Sequence, residues 1–464
     1  MSNYFKCVLN KSPLDFKCGE KIRFEIFARD RCRNIACENI RWEVKTDDGK
    51  NFSGLGSCDI NKPLVIETTL EKPGFVHLIC KAVTTADTQD SGFEVLDAGA
   101  GAEVEKIEYH DTVPNDFCEY WSGIENLVEQ FPIKAKIFKE LPAKSGFKAY
   151  DMRVETPEGR PASFVMTVPE GKGKYPVRAV FMGYGVSPAF PIYNDGHITA
   201  YFNAHGIENH LTKLEINQKY KDELKEGYGF EDSKNQSNMT TYWRGVMIRD
   251  LMGVKYLKTL ENWDGKTLVI TGGSQGALQA TTVAAHSKDV TYLEIGIPWF
   301  CDLNGVSQGF MRGWRPNFAE GLRYFDTALQ GQFVKCPVKI TAGLGDYICP
   351  PSSVMALYNG IKTMKSITFT QAATHSYAPN ERECYTLNFD PENPSGEFKK
   401  GIYRHFKGNE YEVIDFALDC ETLEEKVVYR ALYGERKLWI RPKEEFCDFV
   451  FRNGKVQKRF QYVK

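Results

Sequence analysis

Three side chains that together could break an ester stand in one order along this chain: Ser274, Asp346 and His375. Ser274 lies in Gly272-Gly273-Ser274-Gln275-Gly276, after the apolar run 267–270 and before a run of helix formers, 277–285. A serine on a sharp strand-to-helix turn presents its hydroxyl above the sheet, and only small neighbours such as Gly272 and Gly276 let the backbone turn that tightly. The helix behind it offers backbone N–H groups and the positive end of its dipole to a developing oxyanion. A glycine-rich turn before a helix also serves to cradle phosphate, or merely to pack, so the motif alone leaves the chemistry open.

Two segments downstream narrow the chemistry. The strand-like run 338–343 leads into Leu344-Gly345-Asp346, and the run 366–370 leads out to Ala373-Thr374-His375. Acid and base each stand just past the carboxyl end of a strand, in the chain order Ser, Asp, His of the α/β-hydrolases. A serine hydroxyl is a poor nucleophile until a base takes its proton, and a neutral imidazole suits that task. Asp346 would hold the imidazole tautomer; Asp302 and Asp326 are weaker rivals for the acid. His375 stands out among the 8 histidines by its place after the last core strand; His77, His110, His286 and His405 are expected in core or surface roles. The oxyanion would meet two backbone amides, those of Gln275 and of Tyr184 in Gly183-Tyr184-Gly185. Bulky Trp299 or Trp314 beside Tyr184 would leave a short acyl slot.

These residues need elements to hold them. A chain of 464 residues exceeds one typical core, so two or three domains are expected. Residues 1–96 read as a small antiparallel β-sandwich, with Asp48-Gly49 as a hairpin turn. Residues 105–390 alternate strand and helix, which implies a mainly parallel sheet covered on both faces, with a polar excursion at 211–240. Residues 398–464 return to short β runs. The small-residue run 97–102 and the Pro/Asn/Ser/Gly cluster 390–396 are expected to be linkers.

A formal net charge of -2 argues against general nucleic-acid or membrane-surface binding. No apolar run is long enough to cross a bilayer, and residues 1–7 show no secretory signal. The 13 cysteines show no paired framework, so free thiols in a cytoplasmic protein are expected. Cys32 and Cys37 lack a second pair at zinc-ligand spacing, and neither a metal nor another cofactor is expected.

One further set of residues points to a family. It comprises Pro114-Asn115-Asp116-Phe117-Cys118-Glu119-Tyr120-Trp121, Gly183-Tyr184-Gly185, Tyr242-Trp243-Arg244-Gly245-Val246, the serine motif, Gly345-Asp346-Tyr347-Ile348-Cys349-Pro350-Pro351-Ser352 and His375. Through these, residues 105–380 resemble the acetyl xylan esterase and cephalosporin C deacetylase group, carbohydrate esterase family seven. The resemblance implies an α/β-hydrolase fold, deacetylation of a small acetylated carbohydrate, the same triad and oxyanion pair, and a ring-like homo-oligomer. The chain departs from the pattern twice: Asn203-Ala204-His205 stands where the family usually carries Arg-Gly-Gln, and Ser376 where it carries Glu. These departures leave the substrate more open than the chemistry. His205 is expected to pack rather than catalyse. The segments 401–408, 428–434 and 439–442 resemble a short bacterial domain of unknown function. A feruloyl-type or general short-chain esterase, a peptidase, and a non-catalytic carbohydrate-binding protein on the same fold remain as alternatives.

Overall fold

The computed structural model describes residues 3–83, 93–224, 227–393, 398–420, 425–452 and 455–464. Its centre is a ten-stranded sheet in the order Cys384–Phe389, Lys365–Thr370, Val338–Gly343, Tyr292–Gly296, Trp263–Gly273, Tyr175–Phe181, Ile198–Asn203, Ala162–Pro169, Phe147–Val154, Ala135–Leu141. The six strands from Lys365–Thr370 to Ile198–Asn203 run parallel to one another. The rest pair antiparallel, so the sheet is mixed, and the expected parallel character holds only at its centre. The reason is local. Gly146 and Gly159 take positive φ in short turns, and hairpin-linked strands need no crossover helix.

The central strands are apolar on both faces, as Leu268, Val269 and Ile270, all fully buried, illustrate. The helices Phe117–Gln130, Tyr242–Leu257, Gln275–His286 and Pro351–Gly360 contribute to the same core. The chain leaves Tyr175–Phe181 towards one side of the sheet and returns with Trp263–Gly273 on the other. That reversal opens a crevice beyond the carboxyl ends of these two strands, where Tyr184 and Ser274 follow.

Before this sheet lie two four-stranded antiparallel sheets with a shared core that includes Phe24, Ile26, Val76 and Leu78. The hairpin at Asp48-Gly49 joins Cys37–Thr46 to Asn51–Cys58, with Gly49 at φ 90°. The run expected to be a linker is instead an edge strand of the second sheet, Leu96–Ala102, paired with Gly74–Ala82. Its small residues answer to packing: a Cβ on Gly99 would fall 2.4 Å from the Leu344 carbonyl oxygen. Side-chain size, which reads as flexibility in sequence, here permits close approach between backbones.

After the large sheet comes a five-stranded antiparallel sheet around Tyr403, Tyr429, Phe446 and Phe460. Of the second expected linker, residues 394–396 lie outside the described residues. The polar excursion holds the short helices Lys213–Lys219 and Asp232–Asn235, anchored by buried Ile216 and Leu224. All 13 cysteines are free. No helix among the described residues is long and apolar enough to cross a membrane.

Candidate active site

Ser274 sits at φ 54°, ψ -121°, between the end of Trp263–Gly273 and the start of Gln275–His286. A serine rarely adopts positive φ, and such strain persists only where the surroundings enforce it. Here they do. A Cβ on Gly272 would lie 2.2 Å from the Gly276 carbonyl oxygen, and one on Gly276 would lie 2.1 Å from that of Phe181. Both glycines are therefore required by backbone contact. Gln275 is the first helical residue, so its amide has no acceptor within the helix.

The structure brings the three residues of the sequence motif together. His375 Nε2 lies 3.0 Å from Ser274 Oγ, and His375 Nδ1 lies 2.9 Å from Asp346 Oδ2. Asp346 is buried, and its Oδ1 accepts the backbone N–H groups of Ile348 and Cys349, each at 3.0 Å. The acid and base loops are tied to each other by the Gly345 N–H, which donates to the Ala373 carbonyl at 3.0 Å. One Asp346 oxygen is thus fixed by amides, and the other faces the imidazole.

Tyr184 follows the neighbouring strand. Its ring stacks on Tyr228 at 4.2 Å, and its hydroxyl donates to the Tyr228 carbonyl at 3.1 Å. The Tyr228 hydroxyl accepts the Gly185 N–H at 2.8 Å and donates to Gln275 Oε1 at 2.6 Å. Gln275 Nε2 donates to Gln279 Oε1, and Gln279 Nε2 to Asp250 Oδ2. One buried line of hydrogen bonds therefore runs from the Tyr184 loop past the serine turn into the core. Burial pushes the Asp250 carboxyl up to about 8.

Sequence reasoning did not single out Tyr228. The signal for it was an aromatic pair, Tyr228 and Phe230, within an otherwise polar stretch.

His205, buried, touches the same loop. Its Nε2 lies 2.9 Å from the Gly185 carbonyl oxygen and its Nδ1 lies 2.7 Å from the Tyr242 hydroxyl. The Gly185 carbonyl requires the proton on Nε2. Burial pulls its titration down to about 4.

Trp299 is buried and Trp314 is 41% exposed. The Trp314 ring stands 4.7 Å from Tyr184 and 4.8 Å from Phe230, and its backbone N–H donates to the Ile348 carbonyl at 3.0 Å. It therefore links the Tyr184 loop to the acid loop.

The rival acids are spent elsewhere. Asp302 accepts the backbone N–H of His110 and faces its Nδ1 at 2.7 Å, while Asp326 caps the helix Thr327–Gly331. His77 faces Asp97, and His286 bridges Glu125 and Gln330. His405 packs against Phe460 in the last sheet.

Residue spacing gave no sign of one cluster. Asp346, Cys349 and His375 place potential metal-binding atoms within 4.8 Å of one another. The Asp346 oxygens and His375 Nδ1 are already engaged with each other and with amides. Burial and the Asp346 charge push the Cys349 thiol well up, against the thiolate a metal prefers. The donor set suits a hydrogen-bonded triad better than an ion.

The profile of the acetyl xylan esterase (AXE1) family matches residues 101–312 and 311–392, and that of a protein of unknown function (DUF1653) matches 401–462. The chain is 23% identical over 396 residues to acetyl esterase Axe7A of Xylanibacter ruminicola, covering 79% of this chain and 86% of that protein. The structure of acetyl xylan esterase 1 from a Thermoanaerobacterium species aligns with a TM-score of 0.50 at 19% identity, over 60% of this chain and 94% of that one. A DUF1653 protein from Bordetella bronchiseptica is 35% identical over 14% of this chain and 88% of that one, with a TM-score of 0.14. The AXE1 match spans more than half of the chain and contains Ser274, Asp346 and His375, and the protein belongs to the acetyl xylan esterase (AXE1) family.

Proposed function

We propose that the protein is a serine esterase that removes O-acetyl groups from xylo-oligosaccharides or related small acetylated sugars through an acyl-enzyme. The observation that carries this reading is the unbroken line Asp346–His375–Ser274, ending on a serine held in a strained turn at a helix start. His375 Nε2 takes the Ser274 proton as Oγ attacks the acetyl carbonyl. Asp346 stabilises the imidazolium through Nδ1. The negative charge on the carbonyl oxygen is met by the amides of Gln275 and Tyr184. As the intermediate collapses, the imidazolium of His375 gives its proton to the departing sugar oxygen, which leaves as a free hydroxyl. Water, deprotonated by the same ring, attacks the acetyl-serine to release acetate. The amides supply the charge stabilisation, so no step calls for a Lewis acid.

What supports a small acyl group is the wall that Tyr184, Phe230 and Trp314 form beside the oxyanion loop. A deacetylating role is in keeping with the relatives' names, and free thiols throughout suit a reducing cytoplasm. The test is acetate release from a panel of acetylated xylo-oligosaccharides, other acetylated sugars and a feruloylated sugar. Release from acetylated sugars is expected. A preference for the cinnamoyl ester would favour a feruloyl-type enzyme instead, and no release of either acid would leave a binding protein.

A further inference from the structure

All three residues of the proposed triad follow strands of the large sheet, yet two of the loops that carry them are held from outside it. The edge strand Leu96–Ala102 of the N-terminal sheet runs against both the acid loop and the base loop. A Cβ on Gly99 would fall 2.4 Å from the Leu344 carbonyl oxygen, and one on Gly345 would fall 2.3 Å from that of Asp97. His77, from the adjacent strand Gly74–Ala82, faces Asp97 at 2.8 Å and stacks on Tyr347 at 3.7 Å, next to Asp346.

The base loop shows the tightest connection. Gln371, buried, grips the peptide of Gly99 at both ends: its Oε1 accepts the Gly99 N–H at 3.0 Å, and its Nε2 donates to the Gly99 carbonyl at 2.9 Å. The same Oε1 accepts the N–H of Ala372 at 3.1 Å. Ala372 is at φ 56°, a conformation an alanine adopts only when held there. The next residue, Ala373, accepts the Gly345 N–H of the acid loop, and His375 stands two residues beyond it. One side chain thus fixes a strained step in the short segment that sets the imidazole.

We propose that Gln371 is a positioning residue for His375, and that through its grip on Gly99 the N-terminal sheet is a working part of the esterase site. The proposal rests on the serine-esterase function. Gln371 touches neither Ser274 nor a reacting atom. Its effect is geometric: a displacement of about 1 Å in a group that moves a proton can cost on the order of 10²-fold in rate.

The test uses the full chain and p-nitrophenyl acetate, with Ser274→Ala, Gln371→Ala and Gln371→Glu beside the wild type. Gln371→Glu keeps the acceptor for the Gly99 and Ala372 N–H groups and loses the donor to the Gly99 carbonyl. We expect kcat per folded molecule to fall by about ten- to a hundred-fold in Gln371→Ala, with KM within about two-fold, and the melting temperature to fall as well because the Gly99 and Ala372 groups are left unpaired. Gln371→Glu, whose ionised carboxylate would face the buried Gly99 carbonyl, should lose activity as well. The rate of Ser274 labelling by a fluorophosphonate should fall in parallel with kcat. A folded Gln371→Ala protein with wild-type kcat and labelling rate overturns the proposal. Should Gln371→Ala not fold, wild-type kcat in Gln371→Glu overturns it as well. Failure of the serine-esterase function itself looks different: the wild type would then hydrolyse the ester no faster than Ser274→Ala.

Discussion

The Cβ that Gly276 lacks would lie 2.1 Å from the Phe181 carbonyl oxygen and 3.0 Å from that of Met182. The first turn of the helix behind Ser274 is therefore seated directly on the end of the strand that leads to Tyr184. This contact fixes the distance between the helix start that carries the Gln275 amide and the strand end that leads to Tyr184.

Gly276→Ala has no flexible side chain to push aside and must lift the helix start from the strand end. It should destabilise the protein by about 1–3 kcal/mol, the usual range for forced overpacking. It should also lower kcat by more than the loss of folded protein explains, because Ser274 and the Gln275 amide move with the helix. Thermal unfolding together with kcat per folded molecule checks both parts. Unchanged stability and turnover would show that the contact is soft.

His205 gives a pH signature. Burial lowers its folded titration to about 4 from an ordinary 6.5. Between these values the unfolded chain binds a proton that the folded protein refuses. Stability is therefore full above about 6.5 and is lost as pH falls towards 4. His205→Gln, which can still donate to the Gly185 carbonyl and accept from the Tyr242 hydroxyl, should flatten that loss. Melting temperatures of both proteins from pH 7 to pH 4 test this; parallel curves would contradict it.

Asp250 has the opposite sign. Its folded titration is raised to about 8 from 3.8. The folded state holds a proton that the unfolded chain releases, so this group's contribution to stability falls as pH rises from about 4 to about 8. Asp250→Asn keeps an acceptor for Gln279 and cannot ionise. Its stability relative to wild type should grow across that range and level off above it. A difference that does not change with pH would show the carboxyl to be ionised throughout.

Acyl length tests the wall beside Tyr184. Each methylene that finds no room costs about 1–3 kcal/mol, a factor of about 10 to 200. Acetyl esters should be turned over far better than butyryl and longer ones, and Trp314→Ala should relax the preference. Comparable kcat/KM for acetyl and octanoyl esters would point to an open, lipase-like slot.

Much of this site was legible in the sequence because its parts are short and local. A glycine-serine-glycine turn between an apolar run and a helical run declares its own geometry, and so do an Asp and a His just past strand ends. What was illegible was held by contacts between distant segments. Tyr228 reaches Gln275 across 47 residues, and Gln371 reaches Gly99 across 272. Nothing in the local pattern of either residue gives its partner. The strand Leu96–Ala102 misled for a related reason: glycine and alanine signal a linker by composition, whereas here they allow the Leu344 backbone to approach. The antiparallel flanks of the large sheet were hidden because alternation of strands and helices reports the crossovers and not the hairpins beside them.

The most direct test of the triad is the turnover of purified, folded Ser274→Ala on an acetyl ester. Loss of a triad nucleophile typically lowers kcat by about 10⁴- to 10⁶-fold. A serine-esterase mechanism predicts a loss of that order with the melting temperature and the far-ultraviolet spectrum retained. A folded Ser274→Ala protein that still turns over acetyl ester at close to the wild-type rate would contradict it.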